Sequence, residues 1–258
     1  MELRQANLAE IGGGAAVVDV PSAQEFLAEI HKRATREQLD AIVAQLQRKS
    51  ERFAQWLEPP ALHAEDGAAV RALLGGVFAT RRRVSAVLGT EPARALGARI
   101  EALVHGSAPL AERFDGFCAQ VDLPAATAAE LASELLHFGD PGAHWLWARW
   151  TWNPETRTGA LPLVVHDDFD LEADGPGATY VKVGEAVRFL DETPEAASFR
   201  PREGGPLGTD VFLVGVYSVY MSTVLGLKMS QEFNAVVPAL PELARRLLGV
   251  HRPTHQER

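Results

Sequence analysis

Four of the five tryptophans fall within eight residues, as Trp145, Trp147, Trp150 and Trp152, and His137, Asp140, His144 and Arg149 stand among or just before them. An indole buries a large area and keeps one N–H that needs a partner. Such a cluster therefore fills a core, docks a second protein, or lines a pocket for a planar or cationic ligand. Core packing asks least of the sequence, protein contact more, and a pocket most. Arg149 among the rings could bind an anion, and a structural cation–π pair is the plainer alternative. His137 and His144 lack the i, i+4 spacing of a helical metal-binding pair, and Gly139 to Gly142 lie between them.

A second group is His166-Asp167-Asp168-Phe169-Asp170. Hard oxygen ligands so close together could hold magnesium or calcium, although the glycine and terminal glutamate of an EF-hand loop are absent. The plainer expectation is a solvated loop whose acids cap a helix. Tyr217 and Tyr220 lie one turn apart on an apolar segment and would face either a pocket or the core. The Arg81-Arg82-Arg83 run could touch phosphate, but in an acidic chain it more often forms a solvated face. Cys118 is the only cysteine, among Phe114, Phe117 and Val121, so it reads as a small buried hydrophobe. Gly12-Gly13-Gly14 lacks a following Gly-Lys-Ser/Thr, and nucleophile-elbow, His-Glu-x-x-His and paired Cys-x-x-Cys motifs are missing. No cofactor is named by any of this.

The elements that must position these residues read mainly as helices. Ser22 with Glu25, Thr35 with Gln38, and Thr127 with Glu130 have capping-box spacing. After Thr35, apolar residues from Leu39 to Leu57 recur at three- and four-residue steps and predict a helix of about six turns, ended by Pro59-Pro60. Further helices are expected over Val70–Leu88, Thr90–His105, Leu110–Val121, Thr127–Phe138, Ala178–Leu190 and Pro241–Leu248, with Thr193-Pro194 opening another. Asp140-Pro141 resembles an N-cap with proline in the first turn, so the tryptophans are expected on a helix, although their spacing of two also suits a strand. Val17–Val20 and Leu161–Val165 are candidate short strands, Arg200–Gly208 a loop, and His251–Arg258 a polar tail. Val211 to Leu227 carries no charge, yet its tyrosines, hydroxyls and glycines favour a helix buried at the centre of a bundle over a membrane span.

The fold expected is mainly α, a multi-helix bundle with a short irregular or β-containing segment around residues 140–175. Residues 1–258 would form a single helical domain, with a possible subdivision into 1–122 and 123–258. The formal charge of −9 argues against nucleic acid as a partner, and His166 to Glu195 alone holds nine acids against two bases. The N-terminus lacks a signal-peptide layout, and with one cysteine this suits the cytoplasm. The leading expectation is a helical protein that works by binding another protein or itself, as an adaptor, assembly factor or complex subunit. The alternative is an enzyme or receptor for a small molecule, with a Trp-lined pocket between residues 137–152 and the 211–227 helix, using His137, Asp140, Arg149 and Asp167 or Asp168 as polar groups.

Overall fold

A computed structural model describes residues 17–197, 206–228 and 238–250. The glycines at 12–14, most of the loop expected at 200–208, and the tail from 251 lie outside the described residues. Helix α1 (Val20–Arg33) starts one turn earlier than its Ser22–Glu25 pattern suggests. Asp19 is the cap: its carboxylate accepts from the Ser22 backbone N–H at 3.2 Å and from the Ser22 hydroxyl at 2.5 Å. Pro21 tolerates this because a proline in the first turn gives up no intrahelical bond. In α2 (Arg36–Trp56) the expected Thr35–Gln38 capping box is complete, and Leu39, Ile42, Val43, Leu46 and Phe53 form its buried stripe. Pro59 and Pro60 do more than end that helix, since they open the short α3 (Pro59–Leu62).

The helix expected over residues 70–88 is two helices, α4 (Ala68–Gly76) and α5 (Val84–Thr90). Gly75-Gly76 weakens the first, and the turn that follows is captured by bonds a continuous helix could not make. Thr80 donates its hydroxyl to the Leu74 carbonyl at 2.7 Å, and the Phe78 N–H donates to Glu134 at 3.2 Å. Helices α6 (Ala93–His105) and α7 (Leu110–Gln120) match expectation, while α8 (Ala125–Gly139) starts after Pro124, so Thr127 lies inside it rather than capping it.

Helix α8 ends at Asp140, and the tryptophans that follow are not on a helix. The Asp140 carboxylate accepts from the N–H groups of Gly142 (3.0 Å) and Ala143 (3.2 Å), which makes a turn rather than a helix start. The segment then runs irregularly through a tight turn closed by an Asn153–Thr158 bridge and a 3-10 turn at Leu161–Leu163. Val17–Val20 and Leu161–Val165 supply one isolated antiparallel bridge, Val18 to Val165, instead of strands. Helices α9 (Pro176–Asp191) and α10 (Pro194–Ala197) follow, then α11 (Leu207–Lys228) and α12 (Leu240–Leu247).

Helices α2, α8 and α11 form the centre: α2 packs on both α8 and α11, and α11 also packs on α1, α9, α10 and α12. One hydrophobic cluster runs through residues on both sides of position 122. The window Leu207–Val224 is long and apolar enough to cross a membrane, but 67% of it is buried inside the fold. Its Ser218, Ser222 and Thr223 hydroxyls donate to carbonyls one turn back, which satisfies them inside an apolar helix. Gly215 lets α1 come close, since a Cβ there would lie 2.6 Å from Ile30 Cδ1.

Candidate functional site

Trp147, Trp150 and Trp152 are buried and Trp145 is half-buried. The cluster is thus part of the core and not an exposed docking patch. Two of its indoles are tied to backbone: Trp147 Nε1 donates to the Trp152 carbonyl at 2.9 Å and Trp145 Nε1 to the Tyr180 carbonyl at 2.6 Å. The rings stack onto neighbours, Trp145 on Tyr180 at 5.0 Å and Trp147 tilted on Phe114 at 6.0 Å. Arg149 points outward and bonds Glu130 at 3.0 Å, so the cation–π pairing expected for it is replaced by a surface ion pair. Among the described residues Phe78 is the one large apolar side chain that is exposed.

His137 turns inward and meets a residue the sequence did not mark. Its Nε2 lies 2.7 Å from the Asp210 carboxylate, and its Nδ1 lies 3.1 Å from the His144 carbonyl. One turn earlier on α8, Glu134 accepts from Lys49 Nζ at 2.7 Å, and that ammonium also donates to the Leu248 carbonyl at 3.1 Å. All four side chains are buried. Burial acts first on each group. It lowers the Lys49 pKa and raises that of Glu134 against their mutual attraction. For His137 burial would discharge the ring, but the Asp210 charge and hydrogen bond outweigh it, and the pKa is raised. Sequence signals existed for this network: Lys49 interrupts the apolar stripe of α2, Glu134 and His137 share a face of an apolar helix, and Asp210 precedes the uncharged run.

The sequence placed a pocket between residues 137–152 and 211–227, but the side chains described there are in contact. His137 bonds Asp210, Trp150 lies against Tyr217 at 6.3 Å, and Tyr217 lies against Tyr220 at 6.4 Å. Asp140 caps its turn, and His144 is largely buried with its Nδ1 unpartnered and its pKa pushed down to about 4, mainly by burial.

Concavity occurs elsewhere. Trp152 and the acidic loop, both singled out in the sequence, share the walls of one open cleft of about 440 Å³. Pro162, Val165, Phe169 and Leu171 supply its apolar surface, and His166, Asp167, Asp170, Glu172 and Arg157 its polar groups. The floor is held by backbone: the His166 N–H donates to the Val17 carbonyl at 2.9 Å, and Asp170 accepts from the Glu172 N–H at 2.8 Å. Arg157 pairs with Glu172 at 2.5 Å, Lys182 Nζ stands over the Phe169 ring at 5.0 Å, and Asp167 and Asp170 form no ion pair among the described residues.

Two costs are concentrated here. Arg157, at φ 53°, is the one non-glycine residue in the left-handed region among the described residues. The buried Trp152 Nε1 has no hydrogen-bond partner. His166, Asp167, Asp168 and Asp170 do not converge as metal ligands, and among the described residues no three His, Cys, Asp or Glu side chains form such a group. Cys118, partly buried against the core, has its thiol pKa pushed up to about 12 by burial, which makes it a poor nucleophile. In comparisons with known proteins, no family model matches the chain, and neither a curated protein nor a solved structure matches it.

Proposed function

We propose that the protein binds a small organic cation with an apolar or planar portion in the cleft between Trp152 and the acidic loop. The observation that carries this reading is the convergence in one cleft of Trp152, Phe169, Asp167 and Asp170, whose volume of about 440 Å³ suits a metabolite-sized molecule. The apolar walls would take the body of the ligand. Asp167 and Asp170, in no ion pair among the described residues while Arg157 is engaged by Glu172, would take its charge. The left-handed Arg157 and the unpartnered Trp152 indole support it further, because backbone strain and unsatisfied groups persist where function requires the geometry.

The test is a thermal-shift and calorimetric screen with paired probes: primary and quaternary amines against carboxylates of the same size. Amines should raise Tm and carboxylates should not. Asp167→Asn with Asp170→Asn should weaken amine binding about tenfold or more, the equivalent of ~1.4 kcal/mol. Equal responses to amines and carboxylates, or amine binding untouched by the double substitution, would sink the reading.

A further inference from the structure

The chain as a whole is acidic, yet it carries a run of three arginines in one turn. Arg81, Arg82 and Arg83 lie in the turn between α4 and α5; burial first and then Arg82 depress the Arg81 pKa, against the pull of Glu134, and Arg246 of α12, itself paired with Glu242 at 2.9 Å, adds a smaller push. Arg82 and Arg83 are exposed and form no ion pair among the described residues. Arg81 stacks over the ring of Phe78 at 4.5 Å, and Phe78 is 40% exposed. The turn is pinned at two points, by the Phe78 N–H on Glu134 and by the Thr80 hydroxyl on the Leu74 carbonyl. An exposed aromatic ring braced by Arg81 and flanked by Arg82 and Arg83, two exposed cations without ion pairs among the described residues, has the composition of a protein contact centre.

The complementary surface belongs to the same sequence. Asp167, Asp168 and Asp174 are exposed and likewise form no ion pair among the described residues. Helices α4 and α5 pack chiefly on α2, α3, α6 and each other, whereas α9, which follows the acidic loop, packs chiefly on α7, α10 and α11. The two faces are thus carried by different parts of the bundle, and neither neutralises the other within one chain. We propose that the Phe78–Arg83 turn docks on the acidic loop of a second copy of this chain, so that the protein self-associates through two different faces. Such a contact is heterologous. It rests on surface charges, so it is weak and salt-sensitive: at physiological ionic strength the screening length is only about 8 Å. A nucleic acid as the occupant is disfavoured by the net charge of −9. This inference does not depend on the cleft, and Asp168 is not among the cleft's lining residues.

Sedimentation velocity of the full chain over a concentration series, at low and at high salt, tests it together with two charge reversals. The wild type should associate at low salt and dissociate at high salt. Arg82→Glu with Arg83→Glu should be monomeric, and so should Asp168→Lys with Asp174→Lys, each with an unchanged circular dichroism spectrum. Mixed in equal amounts, the two variants should form mixed oligomers, because each then presents a face complementary to the other. A wild type that stays monomeric at low salt overturns the proposal and leaves the arginine face to an acidic segment of a different protein. Association that survives either reversal, or a mixture that stays monomeric while the wild type associates, also overturns it.

Discussion

Lys49 Nζ lies 2.7 Å from the Glu134 carboxylate, 85 residues away in sequence, with both side chains almost wholly out of water. The same ammonium faces the Phe138 ring at 3.9 Å and donates to the Leu248 carbonyl, so one buried charge joins α2, α8 and the end of α12. Lys49→Met leaves Glu134 charged and buried, which should destabilise the fold by about 3–5 kcal/mol. Lys49→Met with Glu134→Leu should recover more than half of that loss, although Phe78 N–H and Leu248 carbonyl lose partners. Urea denaturation of the two variants checks this. A double variant as unstable as the single one would mean that the pair contributes through its neighbours and not through its charges.

Two histidines set opposite limbs of the pH dependence. His137 has a pKa raised above its ordinary 6.5, so the stability it contributes is complete below pH 6.5 and is lost as pH rises through the folded value. His144, pushed down to about 4, contributes stability that is intact above 6.5 and is lost as pH falls toward 4. Denaturation measured across this range should show Asp210-dependent loss on the alkaline side, flattened in His137→Gln. His144→Gln should flatten the acid limb. A profile unchanged in His137→Gln would contradict the buried ion pair.

Gly184 on α9 lies under the indole of Trp145, where a Cβ would overlap the ring. At an exposed helix position Gly→Ala stabilises by about 1 kcal/mol. Here the clash should win, with a net loss of about 1–3 kcal/mol. Trp145 emission should shift as its Tyr180 stacking and hydrogen bond are displaced. A gain in Tm would show that the Trp145 segment yields easily.

Arg157→Gly separates strain from recognition in the cleft. Removing the left-handed cost of about 1–2 kcal/mol is offset by glycine entropy of about 0.5–1 kcal/mol and the loss of a surface ion pair worth about 0–1 kcal/mol. Stability should therefore move by less than about 1 kcal/mol. Freeing Glu172 makes the cleft more negative, so amine affinity should rise severalfold by calorimetry. A fall in amine affinity would count against charge as the basis of recognition.

Helices with strong periodicity were legible in the sequence: the α2 stripe, the Thr35 box and the buried character of α11 were all readable. What escaped was decided by contacts distant in sequence. Asp19 outcompeted Ser22 as a cap because Pro21 is tolerated inside the first turn. Gly75-Gly76 broke a helix because Glu134, on another element, was there to hold the turn. The tryptophans left the helix expected for them because Asp140 closes a turn and Ser133 accepts the Trp147 N–H at 2.6 Å. The aromatic segment and the acidic loop each stood out by composition. That Trp152 of the former lines one cleft with the latter is a fact of packing that no spacing rule encodes.

The reach of Lys49 also bears on how the chain is made. Its partners lie 85 and 199 residues further along, and the partner of His137 lies 73 residues beyond it. A nascent chain that has produced α1 to α8 holds an imidazole without its carboxylate and an ammonium without its carbonyl. Collapse around the bare imidazole, and around an ammonium that has only Glu134, is penalised by desolvation until α11 and α12 emerge from the ribosome. Stable burial of this network should therefore come late in synthesis. Chains truncated before α11 should depend on chaperones and proteases for disposal instead of settling as a stable half-bundle.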